Sequence, residues 1–100
     1  MNIPDKVKVG GIVFSVKYDN IAADRDFFGE ISFIKQTITI DSTIQPGKQE
    51  ETFLHEIIEA INANYAIGLE HDKLTVLAFA MHQVLKDNAL QFGDLSGEGA

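Results

Sequence analysis

Cysteine is absent from this chain of 100 residues. Its absence excludes disulfide bonds, a thiol nucleophile and a cysteine-based zinc site, so any bound metal must be held by histidines and carboxylates. Positive charge is also scarce, because 8 lysines and arginines stand against 15 aspartates and glutamates and give a formal net charge of −7. Phosphate backbones and anionic membranes bind to basic surfaces, so we expect neither a nucleic acid nor a membrane as a partner.

Long apolar runs are absent as well. The longest, Val76 to Met81, is far shorter than the roughly 20 residues that cross a bilayer as a helix. Residues 1–6 are polar and lack the apolar core of a signal peptide, so we predict a cytoplasmic protein. The length fits one small domain, which we place at residues 1–92, with a flexible glycine-rich tail at residues 93–100.

The first part of the chain carries the period-two pattern of β-strands. Residues 7–18 predict a hairpin, since alternating apolar residues flank the Gly-Gly turn at residues 10–11. Residues 19–28 lack a clean period and predict a connecting loop. Residues 29–41 predict one strand region, or two strands with a bend near residues 34–36.

Two amphipathic helices follow the strands. The first is predicted over residues 48–65 and the second over residues 72–88, with a helix stop at Gly68 between them. Strands followed by helices predict an α+β fold, in which a small, mainly antiparallel sheet of three to four strands packs on two long helices. The predicted apolar stripes are Leu54, Ile57, Ile58, Ile61 and Tyr65 on the first helix, and Leu74, Leu77, Ala78, Met81 and Leu85 on the second.

Residues 55–59 read H-E-I-I-E, which differs from the zinc-peptidase signature H-E-x-x-H only at the last position. Helical residues four apart lie one above the other, so His55 and Glu59 can reach the same metal ion, and a carboxylate is an ordinary zinc ligand. His71 follows the predicted chain reversal and is the expected third ligand. These ligands leave one position for water, and Glu56 is the expected general base that takes a proton from the zinc-bound water.

A purely structural interpretation of the same residues stays open. Any amphipathic helix has a charged face, so the polar residues at positions 55, 56 and 59 could be solvated, and His71 could begin the second helix without a ligand role. His82 lies among core positions and is predicted to be a boundary residue. Asp72 is predicted to cap the second helix, and Glu50 and Glu51 to interact with the dipole of the first.

Residues 52–62, T-F-L-H-E-I-I-E-A-I-N, resemble the active-site helix of small phage and prophage zincin-like proteins. The similarity extends to the second helix of that group, through residues 69–71, 77–78 and 83–88, and to its paired strands, through residues 29–33 and 36–41. It implies a minimal gluzincin-like metallopeptidase, in which a second helix supplies the last ligand. Many members have histidine at the position of Glu59, so this chain departs from the family at a ligand.

Three functions are compatible with these patterns. The first is a zinc-dependent peptidase of phage or prophage origin, acting in the host cytoplasm, which takes an extended peptide along the sheet edge near residues 29–33. The second is a non-catalytic zincin-like module that binds another phage or host protein. The third is a small acidic binding protein without a metal. The sequence has neither a phosphate-binding G-x-x-x-x-G-K loop nor a G-x-S-x-G nucleophile elbow.

Overall fold

The computed structural model describes residues 2–21 and 27–90, and within them it has the predicted α+β fold. Four strands come first and two long helices follow. The elements are β1 (Lys6–Val9), β2 (Ile12–Asp19), β3 (Gly29–Ser32), β4 (Thr37–Asp41), α1 (Pro46–Asn64) and α2 (His71–Asn88). The hairpin over residues 7–18 and the division of residues 29–41 into two strands are confirmed. The bend falls at Gln36, whose φ of 53° lies in the left-handed region.

The strands form one mixed sheet in the order β1-β2-β4-β3. The β1–β2 pair is an antiparallel hairpin, as its Gly-Gly turn predicts, and β3 and β4 also pair antiparallel. The central pair, β2 and β4, is parallel, in a register that runs from Ser15 opposite Thr37 to Asp19 opposite Asp41. This order leaves β3 at one edge of the sheet, where α1 also contacts it.

One face of the sheet packs against α1. The predicted alternation places Phe14, Ile38 and Ile40 on this face, and all three are fully buried. Phe53 and Ala60 of α1 complete this core. Burying such side chains contributes about 1.5–3 kcal/mol each, which makes the sheet–α1 contact the main source of stability.

Helix α2 packs against α1 through a second, smaller cluster of Ile58, Leu74 and Ala78, with Leu69 beside it. The predicted apolar stripe of α2 is therefore buried only in part, because Leu77 and Met81 are at least 40% exposed. The stripe predicted for α1 is wrong at Tyr65, which is 61% exposed because α1 ends one residue before it. A helix with one packed neighbour buries only a narrow line of side chains.

The predicted roles of the acidic residues near the helix starts hold only in part. The residue that precedes α2 is Glu70 rather than Asp72, but the Asp72 carboxylate does accept a hydrogen bond from a first-turn backbone N–H, that of Lys73, at 2.9 Å. Because α1 starts at Pro46, Glu50 and Glu51 lie beyond its first turn, where the dipole acts weakly. Glu50 is bonded to His82 of α2, and Glu51 to Lys48.

Parts of two predictions lie outside the described residues, namely residues 22–26 of the predicted loop and the whole predicted tail at 93–100. Neither α1 nor α2 combines the length and the apolar character that a bilayer-spanning helix needs.

Candidate metal centre

Helix α1 supplies two of the three predicted ligands. His55 and Glu59 lie one turn apart in the middle of this 19-residue helix. Both are half-buried, because the first turn of α2 passes beside them. Their backbone positions are fixed by buried neighbours on the same helix, since Phe53 and Ala60 pack against the sheet and Ile58 packs against α2.

His71 is brought to the same place by the six-residue connection between the helices. This connection contains two left-handed residues, Ala66 (φ 51°) and Gly68 (φ 78°), which reverse the chain direction. His71 is the first residue of α2, and its Nδ1 lies 3.8 Å from Glu59 Oε1. Its ring packs edge-on against that of His55, with 5.1 Å between the centroids.

The three side chains form a cluster that could hold a metal ion. One ligand atom from each of His55, Glu59 and His71 lies within 4.8 Å of the other two. Three points this close fit in a circle of radius 4.8/√3, so a single position lies within about 2.8 Å of all three. Tetrahedral ligands at zinc distances of about 2.0–2.1 Å are about 3.3 Å apart. The cluster therefore needs to contract by roughly 1.5 Å to reach ligand geometry, which side-chain rotation can supply.

Glu56 lies beside this cluster in a much drier environment. It is only 6% exposed, yet its carboxylate lines the same cavity as the three candidate ligands. Burial, and then the negative charges of Glu59 and Glu30, raise the pKa of Glu56 to about 8. A carboxyl with so high a pKa is mostly protonated at neutral pH and reaches the midpoint of its titration only in mildly basic solution, a perturbation that is common among acid–base catalysts.

His55 is held in the form that a metal requires. Burial is the largest influence and lowers the pKa of His55 below its usual 6.5; Glu59 opposes this change, and His71 adds to it. A metal ligand must be a neutral imidazole with a free ring nitrogen, so the lowered pKa keeps His55 available for binding at neutral pH.

The cavity that contains these groups lies between α1, β3 and the start of α2. Its volume is about 690 Å³, within the range of small-molecule and peptide sites. Strand β3 comes close to α1 at Gly29, where a Cβ would stand 2.4 Å from Thr52 Cγ2 and 3.2 Å from Glu56 Oε2. The cavity is lined by Phe27, Phe28, Gly29, Glu30, Ile31, Lys48, Glu51, Thr52, His55, Glu56, Glu59, His71 and Thr75.

The structure thus brings together the four residues that the sequence singled out, three as a cluster and Glu56 beside them. Asp72 and His82 are not part of it. His82 is a boundary residue as predicted, and its Nε2 lies 2.8 Å from Glu50 Oε1 across the helix pair. Sequence reasoning missed the contribution of Gly29, whose lack of a side chain is the only local signal of the close approach.

Comparison with known protein families, with curated proteins and with solved structures finds no match to this chain. The zincin-like resemblance of residues 52–62 therefore stays a prediction from the sequence.

Proposed function

We propose that the chain is a zinc-dependent metallopeptidase of phage or prophage origin that hydrolyses peptide bonds. The observation that carries this proposal is the convergence of His55, Glu59 and His71 beside a buried glutamate, Glu56, in one cavity. A structural role explains the cluster less well, since a buried carboxyl with a pKa of about 8 reduces stability at neutral pH.

The donor set fits zinc. Two imidazoles and one carboxylate are the ligands of known catalytic zinc sites, and three protein ligands leave one position open. Zinc, when bound, polarises the scissile carbonyl and acidifies a water molecule. His55 and Glu59 would hold the ion from α1, and His71 would close the site from α2.

Glu56 is the proposed general base. It follows His55 directly in α1 and shares its cavity, so its carboxylate can take a proton from a water molecule there and deliver it to the leaving amine. A positive ion held by its neighbours favours the ionised form of Glu56, which a base requires.

We further propose that the substrate is an extended peptide that lies along β3. This strand is at the edge of the sheet order, and Gly29, Glu30 and Ile31 line the cavity. An extended peptide can add to such an edge through main-chain hydrogen bonds, which fixes the scissile bond relative to nearby groups. We also propose that the protein is cytoplasmic and that neither a nucleic acid nor a membrane is its partner.

Metal content and cleavage of a diverse peptide library test the proposal together. Untagged protein should contain close to one zinc per chain and should cleave peptides. Glu56→Gln should abolish cleavage without loss of zinc, Glu59→Ala should weaken both, and Glu59→His, which restores H-E-x-x-H, should bind zinc at least as well as the natural chain. Asp5→Asn, a change of the same chemistry at an exposed position outside the cavity, should alter neither property.

A non-catalytic zincin-like binding module is the second candidate. The exposed apolar side chains of α2, among them Val76 and Phe79 at over 60% exposure, favour a protein partner. Zinc binding without any cleavage, combined with no measurable effect of Glu56→Gln, would select this candidate over the peptidase.

A further inference from the structure

We propose that Asn62 is a positioning residue that holds His71 against the two ligands of α1. This inference rests on the proposed metal site. Asn62 lies on α1 one turn beyond Glu59, and its side-chain amide makes two hydrogen bonds to Leu69: Nδ2 donates to the Leu69 carbonyl at 2.9 Å, and Oδ1 accepts from the Leu69 N–H at 2.8 Å. Both polar groups of one backbone residue are therefore bound to one rigid, planar group.

The two bonds fix the start of α2. Leu69 lies two residues before His71, and the Glu70 carbonyl between them accepts the first hydrogen bond of α2, from the Leu74 N–H at 2.9 Å. The backbone carbonyl of Asn62 also accepts a hydrogen bond from the Ile67 N–H at 3.1 Å. Asn62 thus holds the connection at two residues and sets where α2 begins relative to α1.

His71 depends on this backbone placement because its own side chain is weakly held. The side chain is 75% exposed, so packing restricts it little, and its Nδ1 lies 3.8 Å from Glu59 Oε1, beyond a direct hydrogen bond. The connection also contains Ala66 in the left-handed region, which is unfavourable by roughly 1–2 kcal/mol for a residue with a Cβ. A connection that carries such strain needs bonds like those of Asn62 to keep one conformation.

The test is the zinc affinity of the full chain, measured by competition with a chromophoric chelator. Asn62→Ala removes both bonds and should weaken zinc binding about 10- to 100-fold, as loss of residues that orient ligands does. Asn64→Ala, the same change two positions later, where the side chain lies beside Gly10, should leave the affinity unchanged.

Two further measurements separate positioning from general stability. Ile38→Val lowers stability by about 0.5–1.5 kcal/mol from the sheet core and should not change the zinc affinity of the folded protein. In metal-free protein, a nuclear Overhauser effect between the rings of His55 and His71 should be present in the natural chain and lost in Asn62→Ala.

Unchanged zinc affinity or a retained ring-to-ring effect in Asn62→Ala overturns the inference. If the natural chain binds no zinc, the proposed function fails, whereas the ring-to-ring effect still decides whether Asn62 positions His71.

Discussion

Replacement of Glu56 by glutamine should stabilise the metal-free protein, and the gain should increase with pH. Glu56 is 6% exposed, and burial, followed by the charges of Glu59 and Glu30, raises its pKa from 4.5 to about 8. Between these two values the folded state binds more protons at this site than the unfolded state does. The free energy of unfolding therefore falls as the pH rises from 4.5 to about 8, and this loss levels off above pH 8.

The size of the effect follows from the two pKa values. Each pH unit between 4.5 and the working pH costs about 1.4 kcal/mol, which gives roughly 3 kcal/mol at pH 7 and approaches roughly 5 kcal/mol above pH 8. Glutamine matches the neutral carboxylic acid in shape and polarity, so the variant avoids this cost and differs little from the natural chain at acidic pH. Against a total of about 5–15 kcal/mol for a small domain, the difference is large.

Urea denaturation in the presence of a metal chelator measures this difference at about pH 4.5, 7 and 8.5. The free energies of unfolding should nearly coincide at the lowest pH and diverge as the pH rises, with Glu56→Gln the more stable protein. Asp5→Asn, at an exposed position outside both helices, controls for the loss of one negative charge from an acidic chain. A constant difference across the three pH values, or a variant that is less stable at pH 8.5, would refute the argument that Glu56 is buried at the expense of stability.

Three other perturbations have defined outcomes. Gly29→Ala should destabilise the fold by about 1–3 kcal/mol, because its Cβ would stand 2.4 Å from Thr52 Cγ2, and Thr52→Ser in the same chain should recover most of this loss in urea denaturation; no recovery would show that the contact is not the cause. His82→Ala should lower the free energy of unfolding by about 1.5–3 kcal/mol at neutral pH, because the hydrogen bond from His82 to the Glu50 carboxylate is lost. This hydrogen bond is the main reason that the pKa of Glu50 lies below 4.5, so its contribution to stability is complete above pH 4.5 and is lost as the pH falls through the lower folded-state pKa. An equal destabilisation at about pH 3 would contradict this account. Leu74→Ala should reduce the free energy of opening α2 by about 2–5 kcal/mol, which should appear as faster amide exchange in α2 than in the sheet. Zinc at 100 times the dissociation constant of this variant should return about 2.7 kcal/mol, and the same zinc concentration should return little when His71 is also replaced by alanine.

The elements of this fold could be predicted from sequence because each depends on local periodicity. Alternation placed Phe14 and Ile38 in the sheet core, and helical spacing identified Leu54 and Ile58 as buried residues of α1. The same spacing missed Phe53 and Ala60, which pack against the sheet. The parallel pairing of β2 with β4 could not be predicted in this way, since a period assigns a side chain to a face and does not identify the neighbouring strand. Tyr65 failed for a related reason: the pattern continues past the residue at which the helix ends.

The candidate site likewise combines features set by local sequence with contacts between separate elements. The one-turn spacing of His55 and Glu59 is a property of the helix, and the arrival of His71 follows from a chain reversal marked by Gly68. The burial of Glu56 depends on the approach of β3 at Gly29, and the Glu50–His82 bond joins residues 32 positions apart. Neither contact leaves a periodic signal, because each is set by how separate elements pack.

The ligands and the base of the candidate site also rest on different contacts. His71 is placed by the connection that Asn62 binds, on the side of α1 that faces α2. Glu56 is enclosed by β3, at the position where Gly29 and Thr52 meet. A change at Asn62 should therefore move a ligand and leave the pKa of Glu56 high, whereas a change at Gly29 should open the environment of Glu56 and leave the three-residue cluster in place. Metal binding and proton transfer can then be altered separately in this chain, because α1 presents the two groups to two different neighbours.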